Sequence, residues 1–154
     1  MFQKAFILSF FLGCGFVLSA QNVDVKHYSF SLSLNDANDT IKGTAIIDLQ
    51  AQHTNPQFAL HLKSVQQGKG MTVKSVAGKN VQSFAHRNDS LYIRLQNITP
   101  DSLFTLTIRY AGVPQDGLII AKNKWGDRTF FADNWPDRAH HWLPCNDDPA
   151  DKAS

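Results

Sequence analysis

Cysteine is scarce in this sequence, which has two among its 154 residues. Cys14 lies in an apolar N-terminal run, so removal of that run leaves Cys145 as the remaining thiol. A chain with one cysteine cannot form an internal disulfide, which excludes the class of small exported domains stapled by disulfides. The fold must therefore be stabilised by a hydrophobic core, and about 134 residues are enough to build one.

An excess of charge of either sign is also missing. The chain has 15 basic and 13 acidic residues, a formal net charge of +2, and the basic residues are scattered rather than gathered in a stripe. This balance excludes a strongly cationic protein that binds nucleic acid or an anionic membrane surface. The hydrophobic content of 43% is that of a globular protein, which excludes wholesale disorder.

Helical periodicity is the third absence, because apolar residues nowhere recur at a spacing of 3.6 over a helix-length window. A period of two is present instead: Tyr28, Phe30, Leu32 and Leu34 alternate with serines, which predicts a strand with one buried face. The turn-rich residues 35–39 then predict a hairpin to the next strand. In total the patterns predict strands at 28–34, 40–52, 58–62, 71–76, 81–86, 91–95, 104–110, 117–121 and 129–131.

Short strands separated by regular turn signals predict an all-β fold, either an antiparallel multi-strand sandwich or a curved, saddle-like sheet. Sandwich domains of this kind serve adhesion, carbohydrate binding and enzyme accessory roles. The strand pattern alone therefore leaves the function open.

The first 20 residues have the pattern of a signal peptide. Lys4 supplies a positive charge, residues 5–18 are almost wholly apolar, and Ser19 and Ala20 are small. We predict cleavage after Ala20, with a lipoprotein site at Cys14 or an uncleaved anchor as alternatives. The domains are then a signal peptide at 1–20 and a β domain at 21–154. The mature chain is expected to have no stable membrane span and to be exported to the periplasm, the cell surface or the medium.

The segment from Asp133 onwards has neither a helical nor a strand period and combines tryptophan, proline, histidine and aspartate. Such a segment is either disordered or a shaped loop. Residues 138–153 resemble the "A-R-x-x-x-P-C-x-D-x-P-x-x-K-A" signature near the end of the N-terminal β domain of M1-family zinc aminopeptidases. Earlier patterns agree in order: "Y-x-F-x-L-x-L" at 28–34, "I-x-G-x-a-x-I-x-L" at 41–49 and "L-x-I-x-Y-x-G" at 106–112.

The resemblance implies the N-terminal domain of an exported zinc metallo-aminopeptidase, truncated before the catalytic domain and incomplete at its own C-terminus. The zinc-binding H-E-x-x-H motif and the G-x-M-E-N type exopeptidase motif belong to the following domain, and neither occurs here. This chain alone is therefore predicted to be inactive and without a cofactor, the zinc being held by the catalytic domain of the parent. The partners implied are that domain and peptide substrates with a free N-terminus.

The resemblance also implies site residues. In the family a Glu or Gln shortly before the signature holds the substrate's free amine, and a gapless match places Trp135 there. Asp133, Asn134 and Asp137 are the oxygen-bearing residues near it. Asn134 or Asp133 would anchor the amine, with Trp135 as a wall of the pocket; alternatively, these residues only shape a turn leading to Pro136. The structural signature residues, which we expect to pack and to form turns, are Pro144, Cys145, Asp147, Pro149 and Lys152.

Two other constellations lead to weaker hypotheses. His140 and His141 lie near Cys145, but adjacent histidines rarely ligate one ion, and no second cluster completes a zinc site, so no metal site is expected. Trp125, Trp135 and Trp142 would line a sugar-binding face if the chain were a standalone secreted β-sandwich module for binding or adhesion. In the aminopeptidase interpretation they cover the interface with the catalytic domain.

Overall fold

The computed structural model describes residues 22–147 and residue 153. The predicted signal peptide, Pro149 and Lys152 lie outside these residues. Within them no helix is long and apolar enough to cross a membrane. The elements are β1 (Val23–Ser33), β2 (Ile41–Ala51), β3 (Gln57–His61), β4 (Gly70–Ala77), β5 (Val81–Arg87), β6 (Ser90–Leu95), β7 (Leu103–Val113), β8 (Leu118–Lys122), β9 (Arg128–Ala132) and a 3-10 helix at Ala139–His141.

The strands form three antiparallel sheets, with orders β1-β2-β7-β4, β3-β6-β5 and β8-β9. Each of the nine predicted strands is present, with its ends shifted by a few residues. The prediction of an antiparallel all-β fold is therefore confirmed. Local alternation identifies strands well because a strand with one buried face must place apolar residues at every second position.

The core is built from the inward-facing positions of both larger sheets. On β2 the alternation is complete, so that Ala45, Ile47 and Leu49 are fully buried. Each large aliphatic side chain buried in this way contributes about 1.5–3 kcal/mol. The same core includes Leu60, Leu62, Leu91, Ile93, Leu106, Ile108, Tyr110 and Trp142.

Strand β1 differs from its prediction. Val23 and Val25 are buried, whereas Leu32 and Leu34, expected on a buried face, are each 39% exposed. The buried residues before position 26 have odd numbers, whereas the apolar residues after it have even numbers. A β-bulge between Val25 and His27 explains this change, because it adds one residue to the strand. The buried part of β1 is therefore its beginning, upstream of the strand that the pattern predicted.

Candidate functional site

The segment after β9, which we call the C-terminal loop (residues 133–147), is attached to the strands by backbone hydrogen bonds. The Asp133 N–H donates to the carbonyl oxygen of Gly117 at 2.8 Å. Farther along, the Lys63 N–H donates to the carbonyl oxygen of His140 at 2.9 Å. Of the two predicted alternatives, the described residues therefore form a shaped loop.

Gly117 is required where the loop begins. Its φ is +78°, a conformation that residues with a side chain rarely adopt. A Cβ added there would lie 2.5 Å from the carbonyl oxygen of Arg138 and 2.9 Å from Nε1 of Trp142. The missing side chain lets the loop approach the backbone before β8 closely.

The loop is also paired with the end of β3. The His61 N–H donates to the carbonyl oxygen of Cys145 at 2.7 Å, and the Cys145 N–H returns a bond to the carbonyl of His61 at 3.1 Å. Two residues after Cys145, the Asp147 N–H donates to Nδ1 of the same His61 at 3.1 Å. His61 thus holds the signature with its backbone and its ring.

Asp133, a predicted substrate-binding residue, already has a cationic neighbour. Its Oδ2 accepts a hydrogen bond from Nη1 of Arg138 at 3.1 Å, and Nε of Arg138 lies 3.7 Å from Oδ2 of Asp116. The other oxygen of Asp133 accepts a long bond of 3.4 Å from the Trp135 N–H. Arg138 fixes the orientation of the Asp133 carboxylate, whose side chain stays 41% exposed.

Asn134 and Trp135 have contrasting surroundings. Oδ1 of Asn134 accepts a hydrogen bond from Nε1 of Trp142 at 2.9 Å. Trp135, the next residue, is 79% exposed. The loop thus presents one large aromatic ring on a base fixed by hydrogen bonds, and the roles assigned to Asp133, Asn134 and Trp135 stay predictions.

Trp142 corrects one expectation. It is 5% exposed and belongs to the core, so it covers no interface and lines no sugar-binding face. Trp125 and Trp135 are 74% and 79% exposed. The sequence could not distinguish the three tryptophans, because burial of Trp142 depends on contacts with elements distant along the chain.

Within the signature, Pro144 is buried and Cys145 is partly buried. The Cys145 thiol donates to Oδ1 of Asp147 at 3.6 Å. Burial and, to a smaller extent, the adjacent Asp147 carboxylate raise the pKa of Cys145 far above its ordinary value. A thiol that holds its proton so firmly is a packing group and a poor nucleophile.

The adjacent histidines are held differently. Nδ1 of His140 lies in close contact with Oδ2 of Asp147. Burial lowers the pKa of His141, and the nearby His140 and Lys63 lower it further. In the part of the chain that the structure describes, no group of three or more His, Cys, Asp or Glu side chains could hold a metal ion.

His61 is the residue that sequence reasoning missed. It is exposed at the end of β3, yet its ring accepts a hydrogen bond from the backbone of Asp147, 86 positions away in the sequence. It also lines an open pocket of about 460 Å³ between the end of β3 and the C-terminal loop. Its outward position on β3 gives no local signal of this role. The other acidic, basic and histidine side chains that line the pocket are Lys63, Asp89, Asp137, His140 and Asp147.

One ion pair in this pocket is well defined. Nζ of Lys63 donates to Oδ2 of Asp89 at 2.8 Å, and the Ser64 N–H donates to Oδ1 at 2.9 Å. The hydrogen bond from Lys63 is the largest cause of an Asp89 pKa below its ordinary value. The pair joins the turn between β5 and β6 to the segment after β3, and both residues line the pocket.

We expect Asp147→Ala to lower the free energy of unfolding by about 1–2 kcal/mol, because it removes a carboxylate that accepts a hydrogen bond from the Cys145 thiol and lies in contact with His140. Asp137→Ala is the matched control, since Asp137 lies in the same pocket but is exposed. Urea denaturation of both variants measures the difference. An unfolding curve of Asp147→Ala identical to that of the parent would remove Asp147 from the structural signature.

Comparison with solved structures shows a shared fold. An M1 zinc metallopeptidase from Deinococcus radiodurans matches with a TM-score of 0.65 and 23% identity, covering 86% of this chain and 31% of that one. Leukotriene A4 hydrolase from Saccharomyces cerevisiae matches with a TM-score of 0.64 and 18% identity, covering 86% and 22%. This chain therefore spans less than a third of the length of either relative.

The comparison with curated protein sequences found no match. The family described as the Peptidase M1 N-terminal domain matches residues 24–154, which is almost all of the predicted mature chain. This match confirms the resemblance carried by the signature and the ordered strand patterns. On these grounds the chain belongs to the Peptidase M1 N-terminal domain family.

Proposed function

We propose that this chain is the N-terminal domain of an exported zinc metallo-aminopeptidase and forms the wall of its cleft that selects a free peptide N-terminus. The observation that carries the proposal is the exposed ring of Trp135, 79% accessible on a loop anchored at both ends. A rigid base with a protruding aromatic group suits a substrate wall, because little ordering entropy is lost when a ligand binds. One Deinococcus radiodurans relative was solved with a Tyr-Ser-Ala substrate.

In this proposal Asp133 and its neighbours bind the ammonium group of the substrate's N-terminus. An ammonium group binds best to a carboxylate that is oriented but not fully satisfied. Arg138 holds one oxygen of Asp133, and the other oxygen has a single weak donor. The face of Trp135 adds attraction for a cation close to the ring. Asn134 contributes less, because its side-chain oxygen is occupied by Trp142.

The described residues of this chain do not fit a catalytic zinc site. No suitable group of ligands occurs among residues 22–147 and 153. The sequence also contains no glutamate at all, so it has neither the H-E-x-x-H motif nor a glutamate base. We therefore assign zinc and the hydrolytic step to a catalytic domain of the kind present in the longer relatives, with this domain as its partner.

Export belongs to the same proposal and is supported by the pattern of residues 1–20. The protein would act in the periplasm, at the cell surface or in the medium. Fractionation of cells that express the chain with an epitope tag tests this point, and a wholly cytosolic, unprocessed product would oppose it.

We expect Asp133→Asn, made in the polypeptide that carries both this domain and the catalytic domain, to raise KM for aminoacyl substrates about tenfold with a smaller change in kcat. The reason is the loss of one charged partner of the amine. Asp137→Asn, four residues away and exposed, is the matched control. Steady-state kinetics measure both variants, and an unchanged KM for Asp133→Asn would exclude Asp133 as the amine-binding residue.

Two further observations test the wider proposal. The coding sequence downstream of Ser154 should encode H-E-x-x-H, whereas a stop codon with stable expression of the short product would favour a standalone binding module. The purified chain incubated with zinc and an aminoacyl reporter should show no turnover. Release of the reporter that a chelator abolishes would contradict the assignment of catalysis to another domain.

A further inference from the structure

Strand β5 is an edge of the three-stranded sheet, whose order is β3-β6-β5. Within residues 22–147 and 153, no strand pairs with its other side. Residues 82–85 at its centre are all exposed. An edge of this kind presents backbone N–H and C=O groups that a second extended chain can pair with.

The outer face of this sheet has an open pocket beside the β5 edge. Tyr92 on β6 lies between Ala59 and Ala85 in the register of the three strands. The open pocket, of about 230 Å³, lies beside the Tyr92 ring and the short side chain of Ala85. The polar side chains that surround this pocket are Gln57, Ser83, Arg87 and Arg94.

The charge of this pocket is wholly positive. The guanidinium carbon of Arg87 lies 5.4 Å from the ring centroid of Tyr92, and Arg94 follows two residues after Tyr92 on β6. No acidic residue lines the pocket. Over the described part of the chain, neither arginine forms an ion pair. Guanidinium groups pair with carboxylates in a bidentate manner, so the pocket is complementary to acidic side chains.

The opposite face of β5 carries an apolar side chain, Phe84, that is partly exposed to solvent. Phe84 lies next to Ile93 in the register and is 40% exposed, although Ile93 itself is buried. A strand added at the free edge would cover Phe84 with every second side chain. Its remaining side chains would lie on the outer face, toward Arg87.

We propose that β5 is a docking strand for an extended acidic segment of another protein, which pairs with its free edge. Alternate apolar residues of the segment cover Phe84, and alternate acidic residues approach Arg87 and Arg94. A peptide suits this surface better than an acidic glycan, because only a peptide satisfies the row of backbone groups along the edge. This site lies on β5 and β6 and does not depend on the proposed function of the C-terminal loop.

The probe is a seven-residue peptide of alternating valine and aspartate. Its N-terminus is acetylated, so that it cannot use the proposed amine site. Titration followed by backbone NMR should shift signals of residues 81–87 rather than 133–138. Arg87→Gln and Arg94→Gln should each weaken binding about fivefold. Arg109→Gln, which alters an exposed arginine on β7 of the other sheet, should leave binding unchanged.

Two modified peptides separate the parts of the proposal. Asparagine in place of aspartate should weaken binding about tenfold, and N-methylation of alternate residues should abolish it, because a methylated amide cannot donate to the edge. Equal binding of the methylated peptide, or signals that shift only in the C-terminal loop, would overturn the proposal. So would binding of a sulfated polysaccharide but not of the peptide. Should an arginine variant fail to fold, the same affinity must still fall steeply in 0.5 M salt.

Discussion

Replacing Gly112 by alanine should destabilise the fold by about 3 kcal/mol or more. A Cβ at this position would lie 2.0 Å from the carbonyl oxygen of Gly70 and 2.9 Å from Cα of Met71. Both atoms belong to the backbone of β4, which pairs with β7 at this point. Unlike a side chain, they cannot rotate away, so the two strands must separate locally.

Gly126→Ala provides the comparison. Gly126 has a φ of +92° but no atom within 4 Å of an added Cβ, so its substitution strains only the backbone and should cost about 1 kcal/mol. Urea denaturation of both variants and the parent gives the two free energies of unfolding. If the two substitutions cost the same, the close approach of β4 to β7 at Gly112 is wrong.

The thiol of Cys145 should react with a disulfide reagent at least about 100-fold more slowly in the folded chain than in the unfolded chain. Burial keeps reagents away, and both burial and Asp147 raise the pKa of the thiol, so little thiolate is present at neutral pH. The measurement uses a chain with Cys14→Ser, in which Cys145 is the one thiol that can react with the reagent. Comparable rates with and without urea would show an accessible, reactive cysteine instead.

The same pKa shift has a consequence for stability. In the unfolded chain the thiol loses its proton around its ordinary pKa of 9.0, while the folded chain keeps the proton to a higher pH. The unfolded state therefore binds fewer protons in alkali, and the free energy of unfolding falls as the pH rises above 9.0. Cys145→Ala should remove this part of the alkaline loss, which denaturation at pH 8 and pH 10 measures.

The strands could be predicted because their signal is local. The alternation in β2 predicts its buried face, and Ala45, Ile47 and Leu49 are buried as expected. The bulge after Val25 could not be predicted in this way, since it depends on how β1 pairs with β2. As a result, the apolar positions of β1 were recognised but its buried end was misplaced.

The candidate site also has features that the local sequence predicts and features that depend on distant contacts. The lack of any period after Asp133 predicted a shaped loop as one alternative, and the resemblance placed the signature at Pro144, Cys145 and Asp147. The contacts that hold the loop reach Gly117, Lys63 and His61, and no short-range pattern encodes them. The burial of Trp142 and the exposure of Trp135 likewise depend on neighbours far away in the chain.

The sequence by itself determined the all-β class, the positions of the strands and the family, because each depends on residues that are close together in the chain. Only the tertiary structure decided that His61 holds the signature, that burial raises the pKa of the Cys145 thiol and that, among the described residues, β5 is an edge strand beside two arginines. These properties arise from backbone pairing and burial between distant segments. They exist only once the chain has folded.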